Sequence, residues 1–167
     1  MEATPTINNI PLRVGDFFTL PEALNYAAQG QTGFNFYDGR GKLSVVLPFS
    51  QLRDEAQSLA QRLSGLGLER GARMALVADT HPDFIRFFFA CQYAGLIPVP
   101  LPASIHMGGR KTFVDQLRRL LISCRANVAM ATEDFFPFLS EAAEGLDLRI
   151  CGTPQAFDEL PEATIPL

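Results

Sequence analysis

The chain has 167 residues, 47% hydrophobic and 19% charged, a balance that fits one globular domain with a core and excludes a disordered chain. Its net charge of −4 leaves no basic footprint for nucleic acid, and no apolar run reaches membrane-spanning length. Three widely spaced cysteines, Cys91, Cys124 and Cys151, with no CxxC and no signal peptide, point to a reducing cytoplasm.

Residues 1–20 show no period and are read as an arm. "PEALNYAAQ" (21–29) opens with Pro and Glu, which suit a first helical turn, and Gly30 stops it. "GFNFYD" (33–38) and "LSVVLP" (43–48) flank "GRGK" (39–42) as a hairpin. Leu52, Ala56, Leu59, Ala60 and Leu63 then mark one face of a helix, with Ser50 as its expected N-cap. "RMALVAD" (73–79) is a short apolar run, as in strands buried on both faces.

"THPDFIRFFFACQYAG" (80–95) predicts a helix capped by Thr80 and Asp83 and stopped by Gly95. Its stripe of Phe84, Phe87, Phe88, Cys91 and Ala94, widened by Ile85 and Phe89, predicts a helix buried almost all round. "IPVPLP" (97–102) follows, with proline at every second position. Alternate residues of a strand aim their N–H groups at the same edge. Pro98, Pro100 and Pro102 thus strip donors from one edge, while Ile97, Val99 and Leu101 can pair on the other. This is either a strand paired on one side or a stiff loop leaving a helix.

"ASIHMGGRK" (103–111) is a loop. "TFVDQLRRLLISC" (112–124), capped by Thr112, is an amphipathic helix burying Phe113, Leu117, Leu120, Leu121 and Cys124. "NVAMAT" (127–132) and "LRICG" (148–152) are strands. Between them "EDFFPFLSEAAEG" (133–145) is a helix with Asp134 as N-cap. Strands and helices alternate from 43 to 152, which predicts an α/β fold: a mainly parallel sheet with flanking helices and a small N-terminal hairpin. Ligands of such sheets sit at the carboxyl ends of the strands. The domain reading is an arm and helix over 1–32, the α/β portion over 33–152, and a linker-like tail over 153–167.

No residue set carries a complete chemistry. His81 and His106 join no Cys or carboxylate into a metal set. His81 is read as a capping-region or surface residue, and Ser104 and Ser123 have no neighbouring base. "GRGK" and "GGRKT" (108–112) lack the form of a phosphate loop, and no G-x-x-x-x-G-K-[ST] or G-x-G-x-x-G is present.

Two segments resemble a known superfamily. "ACQYAGLIPVPLP" (90–102), through Tyr93-Ala94-Gly95 and then Pro98-Val99-Pro100, resembles the second core motif of adenylate-forming (AMP-binding) enzymes. "LPFSQLRDEA" (47–56) places Leu47, Phe49 and Leu52 in register with their first core motif, with Pro48 and Gln51 departing from it. The segment 101–132 is more similar to fatty acyl-AMP ligases than to amino-acid-activating domains. The resemblance implies ATP-dependent activation of a fatty acid to acyl-AMP, then transfer to coenzyme A or a carrier-protein phosphopantetheine, with Mg2+ required. The family's phosphate loop, nucleotide contacts and lysine have no counterpart here. The chain is therefore expected to be an N-terminal fragment of the large domain, inactive alone, with no catalytic, cofactor-binding or metal residue of its own. Its expected partners are the remainder of its own chain, the fatty acid, and coenzyme A or an acyl carrier protein. Uncovered apolar surface is expected to make it self-associate. The alternatives are a stand-alone flavodoxin-like small-molecule-binding module, or an interaction module docking through the proline strand.

Overall fold

Four strands run parallel in the order β4-β3-β5-β6, formed by Arg73–Val77 (β3), Ile97–Leu101 (β4), Val128–Met130 (β5) and Ile150–Gly152 (β6). This is a computed structural model, and it describes residues 10–103 and 109–163. His106, Ser104 and the start of "GGRKT" lie outside the described residues. The remaining elements are α1 (Leu20–Ala27), β1 (Gly33–Tyr37), β2 (Leu43–Pro48), α2 (Phe49–Ser64), α3 (Pro82–Tyr93), α4 (Gly109–Cys124), α5 (Phe136–Ala143) and α6 (Pro154–Asp158). The chain divides into two compact units within α2, after Glu55.

In the second unit, alternation along β3 and β5 builds two cores. Met74, Leu76, Val128 and Met130 face α2, α3 and Phe157 of α6. Ala75, Val77, Ala129 and Ala131 face α4 and α5. All these strand residues are buried, as the apolar runs predict for a sheet covered on both faces.

Among the described residues β4 is an edge strand paired with β3 alone. Ile97 N donates to Ala72 O at 2.9 Å, and Leu101 O accepts from Ala78 N at 2.8 Å. The odd residues thus face β3, and the prolines at 98 and 100 face the open edge. The strand reading holds and the stiff-loop reading falls.

Several expected boundaries move. Residue 50 lies inside α2, which begins at Phe49, so Ser50 is not its cap; Thr112 likewise lies inside α4. The cap of α3 is His81, not Thr80: its Nδ1 accepts from Asp83 N at 3.2 Å. α5 starts after Phe135, and Asp134 does not cap it. Nor is α3 buried all round. Phe87, Ala90 and Cys91 are buried, while Phe84, Ile85, Phe88 and Phe89 are half-buried.

Residues 153–163 do not trail as a linker. They form α6 and bury Phe157, whose ring meets Phe87 edge-on at 5.2 Å. Beyond α6, the Arg62 guanidinium donates to Leu160 O and pairs with Glu162 at 2.8 Å, and Ala163 N donates to Gln61 O at 3.2 Å.

In the first unit, Thr19 caps α1, its Oγ1 accepting from Glu22 N at 3.2 Å, while the Glu22 carboxylate accepts from Phe18 N at 2.9 Å. β1 and β2 pair antiparallel around a turn held by Asp38, whose carboxylate accepts from Arg40 N and Lys42 N at 2.9 Å each. A Cβ on Gly33 would collide with the backbone of Leu47 and Pro48, so the strands close up only because residue 33 is glycine.

Candidate functional site

β3 and β5 are neighbours, but their chains leave in opposite directions. After Val77 the chain turns to α3 on one face of the sheet. After Met130 it turns to α5 on the other. A crevice must open between two such connections, at the carboxyl ends of the strands. The structure has a cleft of about 410 Å3 there.

Asp79 and Thr132, the polar residues that follow the two strands, meet across it, with Thr132 Oγ1 3.4 Å from Asp79 Oδ2. Asp79 also fixes its own turn: Oδ1 accepts from Thr80 N at 2.7 Å, and its carbonyl accepts from His81 N at 2.8 Å. Arg86, one turn into α3, pairs with Asp83 at 3.2 Å and Asp158 at 3.1 Å, which ties α3 to α6. Its Nε is buried with no hydrogen-bond partner among the described residues. Glu133 and Asp134 line the other wall.

Five carboxylates therefore surround one guanidinium and His81. The cleft is anionic and suits a polar neutral or cationic group; it opposes a polyphosphate. Among the described residues neither a serine nor a cysteine lines it. Sequence reasoning placed His81, Asp83 and Asp134 only at helix starts and did not bring the crevice residues together. Their one signal was the polar residue closing each apolar run, Asp79 after "RMALVA" and Thr132 after "NVAMA".

The three thiols are quiet. Burial pushes Cys91 up to about 12 and Cys151 to about 11, and it raises Cys124 as well. Cys91 Sγ lies 3.5 Å from Met74 Sδ in the core.

Both core-motif segments prove to be corners of the backbone. Tyr93 ends α3, Ala94 caps it, and Gly95 turns left-handed at φ +70°. Leu96 N then donates to Cys91 O at 2.8 Å and Gly95 N to Gln92 O at 3.3 Å, a Schellman stop that leads into β4. Pro98 and Val99 are half-buried, while Pro100 is exposed on the open edge. In the first unit, Leu47 is buried at the end of β2. Phe49 opens α2 with its ring edge-on to Phe34 at 5.3 Å, and Leu52 is fully buried.

Residues 31–161 match the family described as AMP-binding enzyme. The chain belongs to that family. A Caulobacter vibrioides protein assigned as an acyl-CoA synthetase is 40% identical over 163 residues, 98% of this chain and 28% of that protein. The 4-hydroxybenzoate--CoA/benzoate--CoA ligase of Rhodopseudomonas palustris is 32% identical over 80% of this chain and 24% of its own length. A solved structure from studies of fatty acyl-adenylate ligases from E. coli and L. pneumophila superposes with a TM-score of 0.88 at 39% identity, over 94% of this chain and 28% of that one. The chain thus spans about a quarter of the length of the relatives it matches. The flavodoxin-like alternative finds no support in them.

The crevice is lined by five carboxylates, and among the described residues no group of three or more His, Cys, Asp or Glu could hold a metal ion. Among the same residues no helix is long and apolar enough to cross a membrane.

Proposed function

We propose that this chain is the N-terminal portion of the large domain of an AMP-forming fatty-acid ligase, with residues 33–152 as its α/β part. In the whole protein, a fatty-acid carboxylate oxygen attacks the α-phosphorus of ATP, with Mg2+ present, and pyrophosphate leaves. The acyl group then passes from AMP to a thiol of coenzyme A or a carrier protein. The observation that carries this reading is the 39% identity and TM-score of 0.88 to a fatty acyl-adenylate ligase structure, against 18% and 0.69 for a keto acid-selecting adenylation domain.

This portion acts as scaffold. Its Schellman corner and proline edge set the wall of the large domain, and nucleotide chemistry is supplied by residues outside these 167. The free thiols support a cytoplasmic setting. Alone, the chain is inactive and self-associates through uncovered apolar surface at high concentration.

The test is fatty-acid-dependent ATP–pyrophosphate exchange, run on the longer gene product and on the 167-residue chain. Exchange by the first and none by the second is expected. Exchange by the isolated chain refutes the scaffold role. A longer product that responds to benzoate and not to fatty acids refutes the substrate class.

A further inference from the structure

The two ends of the parallel sheet carry opposite charge. Five carboxylates line the crevice at the carboxyl ends of the strands, whereas arginines gather at the amino ends. Arg73 opens β3, and Arg149 directly precedes β6. Met74, Val128 and Ile150 are in register, so one residue earlier Arg73, Asn127 and Arg149 form a row across three neighbouring strands. Arg70 lies in the turn ended by Gly71, whose N donates to Gly95 O at 2.8 Å, and Arg125 lies between α4 and β5. An open cavity of about 400 Å3 is lined by Arg70, Arg73 and Asn127, with Glu69 as its one carboxylate among the described residues. Asp147 stands two residues before Arg149.

Elsewhere the arginines are engaged. Arg13, Arg53, Arg62, Arg86 and Arg110 each pair with a carboxylate, and Arg118 donates to two carbonyls. The guanidinia of Arg70, Arg73, Arg125 and Arg149 have neither an ion pair nor a hydrogen bond among the described residues. Asn127 adds a donor. Its Oδ1 accepts from Arg73 N at 2.9 Å, which orients the amide and leaves Nδ2, a donor only, as the group still to be satisfied. Its main chain is held by the ladder: N donates to Arg73 O and the carbonyl accepts from Arg149 N, 2.8 Å each. Arg125 is turned left-handed at φ +52°, the helix-ending position that glycine ordinarily fills, and it is the one non-glycine residue with positive φ among the described residues. Strain of that kind clusters at binding sites.

We propose that the amino end of the sheet binds a diphosphate group, with Arg73 and Arg149 at its two ends, Asn127 Nδ2 between them, and Arg70 and Arg125 adding charge from the flanking turns. Neighbouring strands lie about 4.8 Å apart, so the backbones of Arg73 and Arg149 stand roughly 10 Å apart. One phosphate leaves one of these arginines unused; two linked phosphates give each its own bidentate partner. The group comes either from free pyrophosphate or from a nucleotide that carries a diphosphate. The inference does not depend on the fatty-acid reading, because it uses only side chains of the second unit.

The experiment is calorimetric titration of inorganic pyrophosphate, at low salt and without divalent cations, into the 167-residue chain at a concentration where light scattering shows a monomer. Saturable binding is expected. Arg73→Gln and Arg149→Gln should each weaken it at least roughly tenfold, the effect of one lost charge-assisted hydrogen bond. Arg149 is exposed, so its variant carries the test should Arg73→Gln unsettle the fold. Arg119→Gln removes the same charge from the exposed side of α4 and should weaken binding less than about twofold. The same arginine dependence is expected in the longer gene product. Tighter binding of ADP than of pyrophosphate supports the site with a nucleotide as the source; equal or weaker binding supports it with the free anion. No saturable binding overturns the proposal, and so does an equal loss from Arg119→Gln, which marks unspecific attraction. Binding confined to the 167-residue chain also overturns it, because the rest of the polypeptide then covers this edge. Poly-aspartate bound where pyrophosphate is not overturns it in favour of an acidic polypeptide.

Discussion

Replacing Phe157 by alanine separates two accounts of residues 153–163, as linker or as core. The ring is fully buried in α6 and meets Phe87 edge-on at 5.2 Å and 79°. Truncation removes roughly 150 Å2 of buried apolar surface, which at about 25 cal/mol per Å2 is about 4 kcal/mol. That estimate falls within the range of about 3–5 kcal/mol for Phe→Ala in cores that relax little. With a urea m-value of about 2 kcal/mol/M, the unfolding midpoint followed by circular dichroism should fall by about 2 M. Glu162→Ala is the internal control: its carboxylate is half-exposed in its pair with Arg62, so it should cost under about 1 kcal/mol. A Phe157→Ala midpoint within about 0.2 M of the unsubstituted protein would refute the packing argument, since an exposed linker residue behaves that way.

Gly95→Ala forces a side chain into the left-handed region at φ +70° and sets its Cβ 3.4 Å from Arg70 Cγ, so a loss of about 1–2 kcal/mol is expected in the same urea assay. An unchanged midpoint would mean that the Schellman corner relaxes freely. The raised thiols set an alkaline limit. Cys91 stays protonated in the fold up to about 12 but ionises near 9.0 once unfolded, so the folded state binds more protons between those values. Its contribution is complete below pH 9 and is lost as pH rises towards 12, at a slope approaching 1.4 kcal/mol per pH unit. The stability gap between the protein and Cys91→Ala, measured by urea unfolding at pH 7 and pH 10.5, should narrow at the higher pH; a constant gap refutes the burial argument.

The sheet was legible because its central strands are apolar on both faces, and "RMALV" and "NVAM" announce that without help from distant residues. The proline edge was legible for a similar reason: the donors it lacks are absent from the covalent chain itself. Caps were misplaced because Thr80 and His81 are adjacent and both can accept a hydrogen bond from the next turn. Only the path out of β3, with Asp79 fixing the N–H of Thr80, selects between them. α6 was missed because five residues cannot hold a helix by propensity. Phe157 docking on Phe87 holds it, and that contact spans 70 residues of sequence. The crevice was hidden for the same reason: Asp79, Arg86, Thr132 and Asp158 converge only once the strand order is known. The half-exposed flank of α3 follows from how many layers surround it, which its own periodicity cannot report.

The proline strand also bears on how the sheet is assembled in the right order. β3 and β4 are made first, and the pair then offers two free edges to β5. Adding β5 beside β4 would forfeit the N–H donors missing at residues 98 and 100, each hydrogen bond worth about 1 kcal/mol. Adding it beside β3 forfeits none. The missing donors thus weigh against the order β3-β4-β5, which would follow the sequence, and in favour of the observed β4-β3-β5. That reversal is what opens the crevice, so two imino acids on one strand help decide where the clefts of this fold can form.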